Sequence, residues 1–188
     1  MITPQVTRLC PGTGLSFEDF TADKPKKPVP GFNGRAAPAG TIDGVTVTPL
    51  VANADDRGAL FELLTTRDGA TEPIVHVYQV MAAPGSIRAW VYHRKQYDRL
   101  AYTMGQFEIV LYDSRPESPT VNLLNVFALG AEQPALLRIP PLVIHGVRNC
   151  GSEPAYFVNM PTRAYFRDDP DKARLRYGDP RVPYTFDA

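Results

Sequence analysis

The chain has 188 residues, enough for one domain with a real hydrophobic core, and its 20 basic and 20 acidic residues give a formal net charge of zero. That balance argues against a nucleic-acid or acidic-membrane partner, and no apolar run approaches the ~20 residues a membrane helix needs. Met1-Ile2-Thr3-Pro4 has neither the basic start nor the apolar core of a signal peptide, so a cytoplasmic protein is expected. Cys10 and Cys150 lie far apart in unlike contexts, and without a sign of secretion free thiols are expected over a disulfide.

Residues 1–40 are rich in proline, glycine and lysine (Lys24-Pro25-Lys26-Lys27-Pro28) and read as an extended arm or tail that can wrap a surface or a neighbouring subunit. Residues 41–188 read as one domain. From Ile42 onward, runs of β-branched and aromatic residues recur: Val45–Val47, Ile74–Val80, Ile87–Tyr92, Arg99–Thr103, Phe107–Tyr112, Leu123–Ala128, Ala135–Ile139 and Ala155–Met160. Nineteen prolines and fourteen glycines punctuate the chain, and turn-forming segments such as Asp113-Ser114-Arg115-Pro116 separate the runs. Ala54–Leu64 suits a short helix or a turn entering a strand. Pro170–Arg176 suits a short C-terminal helix. The fold class is therefore all-β, an antiparallel barrel or jelly roll with an N-terminal arm and a short helical segment near the C-terminus.

Two spaced patterns carry the chemistry. Gly85, Val91, His93, Asp98 and Gly105 occupy the places of G-x5-H-x-H-x4-E-x6-G, a barrel pattern in which the first histidine is here a valine. Pro140-Pro141-Leu142-Val143-Ile144-His145 and Asn149 fit P-x-G-x2-H-x3-N, with leucine at the glycine place. Side chains alternate along a strand, so Val91 and His93 share a face that excludes Trp90 and Tyr92. If that face lines the lumen, His93 meets His145 in a concave polar site within an apolar wall.

The stretch Asp55–Pro180 resembles the dTDP-4-dehydrorhamnose 3,5-epimerase family, RmlC-like cupins that epimerise nucleotide-linked 4-keto-6-deoxy sugars. The resemblance rests on Asp56-Arg57-Gly58 with Phe61-Glu62, on Ser86-Ile87-Arg88-Ala89-Trp90, and on Leu111-Tyr112-Asp113-Ser114-Arg115-Pro116-Glu117-Ser118-Pro119-Thr120. Ile139-Pro140-Pro141 leading to His145-Gly146, Tyr165, and Gly178-Asp179-Pro180 complete it. It implies a cupin jelly roll, a homodimer, and a nucleotide-sugar substrate whose diphosphate is held by Arg88 and by Arg57, the latter lent by the partner subunit. Glu62, His76 and Tyr92 are further candidates for contact with the substrate.

The departures from the family are as informative. Its catalytic histidine falls on Val91, a lysine near the sugar and its phosphate on Asp98, and two of its glutamine positions on His76 and His93; the aspartate that orients its base belongs to a C-terminal segment without a recognisable match. Valine cannot carry a proton, so a rearranged acid/base set is expected, with His93 and His145 in the chemistry and Tyr165 donating a proton. The family works without a metal, and no cofactor is expected. An alternative is a metal-dependent cupin in which His93, Asp98 and His145 hold iron, zinc or manganese. A second alternative is a non-catalytic binding or scaffold protein that kept the pocket and lost the base. Asp98 has a plainer use as an ion-pair partner of Arg94 or Arg99, and Arg57 as a clamp on Glu62. Ser118-Pro119-Thr120, with Asp113 and Arg115, is expected to be a structural turn.

Overall fold

The computed structural model describes residues 40–68 and 72–186. The expected arm over residues 1–40 lies outside the described residues except for Gly40, and Cys10 lies outside them with it. Twelve strands occur among the described residues: β1 Thr46–Pro49, β2 Ala52–Asp55, β3 Gly58–Phe61, β4 Tyr78–Ala82, β5 Ile87–His93, β6 Asp98–Met104, β7 Gln106–Asp113, β8 Leu124–Gly130, β9 Ala135–Ile139, β10 Val143–Asn149, β11 Ala155–Asn159 and β12 Lys172–Arg174. They build two five-stranded sheets, ordered β1-β9-β6-β11-β4 and β12-β5-β10-β7-β8, and a β2-β3 hairpin. All pairings are antiparallel, and the two sheets form a jelly roll.

Alternation along the strands accounts for the core. In β6, Leu100 and Tyr102 face the space between the sheets, where they meet Phe107, Ile109 and Leu111 of β7, Leu137 and Ile139 of β9, and Phe157 of β11. The opposite faces are covered too. Val182 and Phe186 pack on Trp90, Val110 and Ile144, while Phe61, Leu63 and Leu64 pack on Ala101 and Met160. Strands buried on both faces lose the clean polar–apolar alternation, which is why β7 reads as a nearly continuous apolar run.

Two sequence expectations need correction, and a third resolves between its alternatives. Pro170–Arg176 is not helical: Lys172–Arg174 is an edge strand on β5, and the pairing extends through mutual backbone bonds between Trp90 and Leu175. Its residues lack an apolar helical stripe, whereas the open edge of β5 supplies backbone partners. Of the two forms expected for Ala54–Leu64, the turn entering a strand is the one present: the segment holds the β2-β3 turn. The apolar run from Ile74 becomes strand only at Tyr78, because Ile74, Val75 and Val77 are exposed and cross no neighbouring strand. Strand β10, which carries His145, stands outside the runs read from composition; Gly146 at its centre breaks the pattern.

The two barrel patterns act first as backbone devices. Gly105 joins β6 to β7 at φ 83°, and a Cβ there would stand 2.2 Å from that of Ala155. Leu142, at the glycine place of the second pattern, still adopts φ 66°, so the turn keeps the left-handed conformation without the residue that favours it. Asn149 is buried; its amide nitrogen donates to the carbonyls of Ala82 (3.0 Å) and Glu153 (2.8 Å). The expected turn after β7 is there as well. Asp113, fully buried, accepts bonds from Arg115, Ser118 and Thr120 at 2.6–2.9 Å.

Candidate active site

Three strands deliver the polar centre. β5 ends at His93, β6 begins at Asp98, and β10 carries His145, whose direct partner on β5 is Val91. His93 Nε2 lies 3.2 Å from Asp98 Oδ2, and His145 Nε2 lies 3.4 Å from the same oxygen. The two imidazoles face each other with ring centres 6.0 Å apart. The other carboxylate oxygen, Oδ1, accepts bonds from Gln96 Nε2 (2.8 Å) and Asn159 Nδ2 (3.1 Å). The expected pairing of Asp98 with Arg94 or Arg99 does not form. Arg99 is buried and donates to the carbonyls of Met160, Glu72, Pro73 and Pro161.

Burial pushes the Asp98 carboxyl up, but the hydrogen bonds and positive charge of His145 and His93 outweigh it and hold the group well below the usual carboxylate range. Asp98 is thus an anion in a dry place. His145 Nδ1 lies 3.1 Å from the Val143 carbonyl, which can only accept, so that nitrogen carries a hydrogen. His93, with its Nε2 toward Asp98, keeps a buried Nδ1 that has no partner in the protein.

The centre opens into two adjoining spaces. An inner cavity of about 170 Å3 is walled by Val91, His93, Asp98, His145, Arg88 and the buried Tyr102, among others. The Tyr102 hydroxyl also lacks a protein partner, and burial followed by the Asp98 charge pushes its pKa up. An outer vestibule of about 350 Å3 shares Tyr78, His93 and Lys172 with the inner space and adds His76, Arg163, Tyr165 and Arg174. Tyr78 accepts a bond from Asn159 at 2.8 Å, which links it to the Asp98 cluster.

Of the residues expected in the site, His93, His145, Asp98 and Arg88 do meet in the lumen, with Val91 beside them. His76 and Tyr165 line the vestibule; His76 does not reach the inner cavity. Tyr92 points to the other side of its sheet and lines a separate cavity with Leu142 and Leu175. Arg57 and Glu62 lie on or beside the β2-β3 hairpin, outside both spaces. They pair with Asp55 and Arg67 and not with each other. Sequence reading missed Gln96, Asn159, Arg163, Lys172 and Arg174. The period-two placement of Lys172 and Arg174 was the available signal for a charged strand face.

A jelly roll with this histidine-lined lumen defines an RmlC-like cupin of the sugar-epimerase class. The chain is 34% identical over 145 residues to the spore coat polysaccharide biosynthesis protein SpsL of Bacillus subtilis, covering 77% of this chain and 96% of that one. It is 36% identical over 139 residues to a probable low-salt glycan biosynthesis epimerase, Agl13, of Haloferax volcanii, covering 72% and 88%. Among solved structures it is similar to a dTDP sugar isomerase of Desulfovibrio desulfuricans, with a TM-score of 0.72 and 26% identity over 77% of this chain and 91% of that one. No protein-family model matches the chain. The chain belongs to the dTDP-4-dehydrorhamnose 3,5-epimerase family and is an enzyme of the nucleotide-sugar epimerase type.

Proposed function

We propose that the protein inverts a carbon flanking the ketone of a 4-keto-6-deoxy nucleotide sugar, using His93, His145 and Asp98 as its proton-transfer set. The supporting observation is the convergence of two imidazoles on one oxygen of a buried carboxylate inside the lumen. One ring takes the proton from the carbon, the C–H electron pair moves into the carbonyl as an enolate, and the Tyr165 hydroxyl gives up its proton to the opposite face to complete the inversion, regaining one from solvent and the ring releasing its own. Asp98 stabilises the imidazolium that forms. Tyr165 and His76, at the vestibule, are placed to meet the sugar's outer part, and Arg88, Arg163 and Arg174 supply the positive wall that suits a diphosphate.

The same reading includes a cytoplasmic homodimer. Its support is the exposed apolar residues Ile74, Val75 and Val77 before β4 and Met81 on it, and the position of Arg57, paired with Asp55, on the surface outside the cavities of its own chain, where a neighbouring chain can reach it. Incubation with a dTDP-4-keto-6-deoxyglucose in deuterated water tests the chemistry. Deuterium is expected at the flanking carbons, and His93→Asn should abolish it. Nucleotide binding without exchange would replace this reading with that of a binding or scaffold protein.

One observation favours a second reading. The candidate ligand atoms of His93, Asp98 and His145 lie within 4.8 Å of one another, and outer bonds from Gln96, Asn159 and the Val143 carbonyl orient them as metal ligands are oriented. Iron, zinc or manganese bound there would polarise a substrate carbonyl. Metal analysis of freshly purified protein separates the two. About one equivalent of metal, with activity lost on chelation, is the outcome this second reading requires.

A further inference from the structure

Strand β12 brings a cation into the lumen that the family pattern does not place there. The register sets Lys172 directly opposite His93 and Arg174 directly opposite Val91. Residues facing each other across an antiparallel pair project on the same side with Cβ atoms about 4.5–5.5 Å apart. Both cations therefore stand on the lumen side of β5, Lys172 beside the imidazole and Arg174 beside the aliphatic residue. They differ in reach. Arg174 lines only the vestibule, whereas Lys172 lines both the vestibule and the inner cavity that holds His93, Asp98 and His145.

Lys172 is partly buried and has no ion-pair partner among the described residues. Burial, with the nearby Arg174 and Arg88 charges, works against its positive charge, and only Asp98 works for it. A half-buried ammonium that the protein does not neutralise is left to an anion arriving from outside, or one created in the site. In the reaction proposed above, Arg163 and Arg174 at the vestibule are left for the diphosphate, and the lumen position next to His93 for the carbonyl.

We infer that Lys172 is a catalytic residue whose ammonium group holds the carbonyl oxygen of the substrate as that oxygen becomes an enolate. The inference rests on the function proposed above and names the group that function still lacks. When a flanking proton leaves, its bonding pair passes to the carbon–carbon bond and the carbonyl pair passes to oxygen, which becomes negative; reprotonation of carbon reverses both shifts. The ketone oxygen bears only partial charge in the bound substrate and close to a full charge in the enolate. A fixed ammonium therefore binds the transition state more strongly than the substrate. The position expected to hold a lysine is Asp98, and Asp98 is now committed to the two histidines. The cation enters from a different strand, so charge in the lumen is redistributed and not lost.

The test is deuterium exchange into a dTDP-4-keto-6-deoxyglucose, measured as separate kcat and KM on the full chain for wild type, K172M and K172R. K172M is expected to lower kcat by about 10²–10³, the usual loss for one oxyanion donor, with KM within a few-fold of wild type. K172R keeps the charge and should recover at least tenfold over K172M. Should K172M fail to fold, K172Q carries the same expectation. A rise in KM at unchanged kcat would show a group that only binds substrate, and would overturn the inference. So would wild-type exchange in K172M. Absence of exchange in the wild type overturns the proposed function and this inference with it; exchange at the wild-type rate in K172M overturns this inference alone.

Discussion

His145 lies directly opposite Val91 across the β10-β5 pair, so its imidazole stands beside the side chain that occupies the family's base position. In the proposed reaction the acid/base chemistry passes one strand over from that valine, to a ring whose Nε2 shares an Asp98 oxygen with His93. Asp98→Asn keeps the shape of the side chain and removes its charge. Deuterium exchange at the carbons flanking the ketone should fall by about 10²–10⁴, the range for losing a positioned acid/base group. Exchange within threefold of wild type would exclude the carboxylate from the chemistry.

Tyr92 provides the contrast. It belongs to the same strand as Val91 and His93 but faces the opposite way, into a cavity with Leu142 and Leu175. Tyr92→Phe should leave kcat and KM for the nucleotide sugar within about twofold, since one strand step reverses the face. A tenfold rise in KM would mean that substrate reaches around the sheet edge.

The turn after β7 has a pH signature. Burial pushes the Asp113 carboxyl up, but bonds from Arg115, Ser118 and Thr120 outweigh this and hold it below the usual range. A depressed folded pKa stabilises the fold above the unfolded value near about 4, and that stabilisation is lost as pH falls through the folded value. Asp113→Asn should cost about 3 kcal/mol at pH 7, because Arg115 loses its carboxylate partner. Urea unfolding of both proteins between pH 7 and pH 2 should show the gap narrowing below about pH 4. A gap that stays constant to pH 2 would contradict an ionised Asp113.

Gly105 closes the first barrel pattern for a steric reason. An added Cβ would lie 2.2 Å from the Ala155 Cβ and 2.9 Å from its Cα, and the residue already sits at φ 83°. Gly105→Ala should therefore cost several kcal/mol, about 1–2 from the left-handed backbone and more from the clash. Thermal unfolding checks it; a melting temperature within about 2–3 °C of wild type, the shift that only about 1 kcal/mol produces in a chain of this size, would show that β6 and β11 can part freely.

Local pattern carried much of this molecule. Ala135–Ile139 is a strand with the bounds that its β-branched and leucine content marks, because the turn residues at both ends stop it. The shared face of Val91 and His93 follows from strand parity alone, and the structure keeps it. The Asp113 turn was legible because aspartate, serine and threonine bond within a few residues of themselves. β12 was not. Residues 170–176 are mostly charged and have no preference strong enough to announce a strand; the free edge of β5 makes them one.

Identity, spacing and side-chain parity are written in the chain: a histidine two residues past a valine, an aspartate five further on, a barrel pattern with its first ligand missing. These are short-range properties and need no knowledge of what lies across the sheet. Which carboxylate oxygen two histidines share, which arginines stand at the vestibule and which lysine reaches the lumen depend on strands far apart in sequence. Register between such strands is set by the packing of the whole core, since a slip of one residue would turn every one of these side chains to the other face.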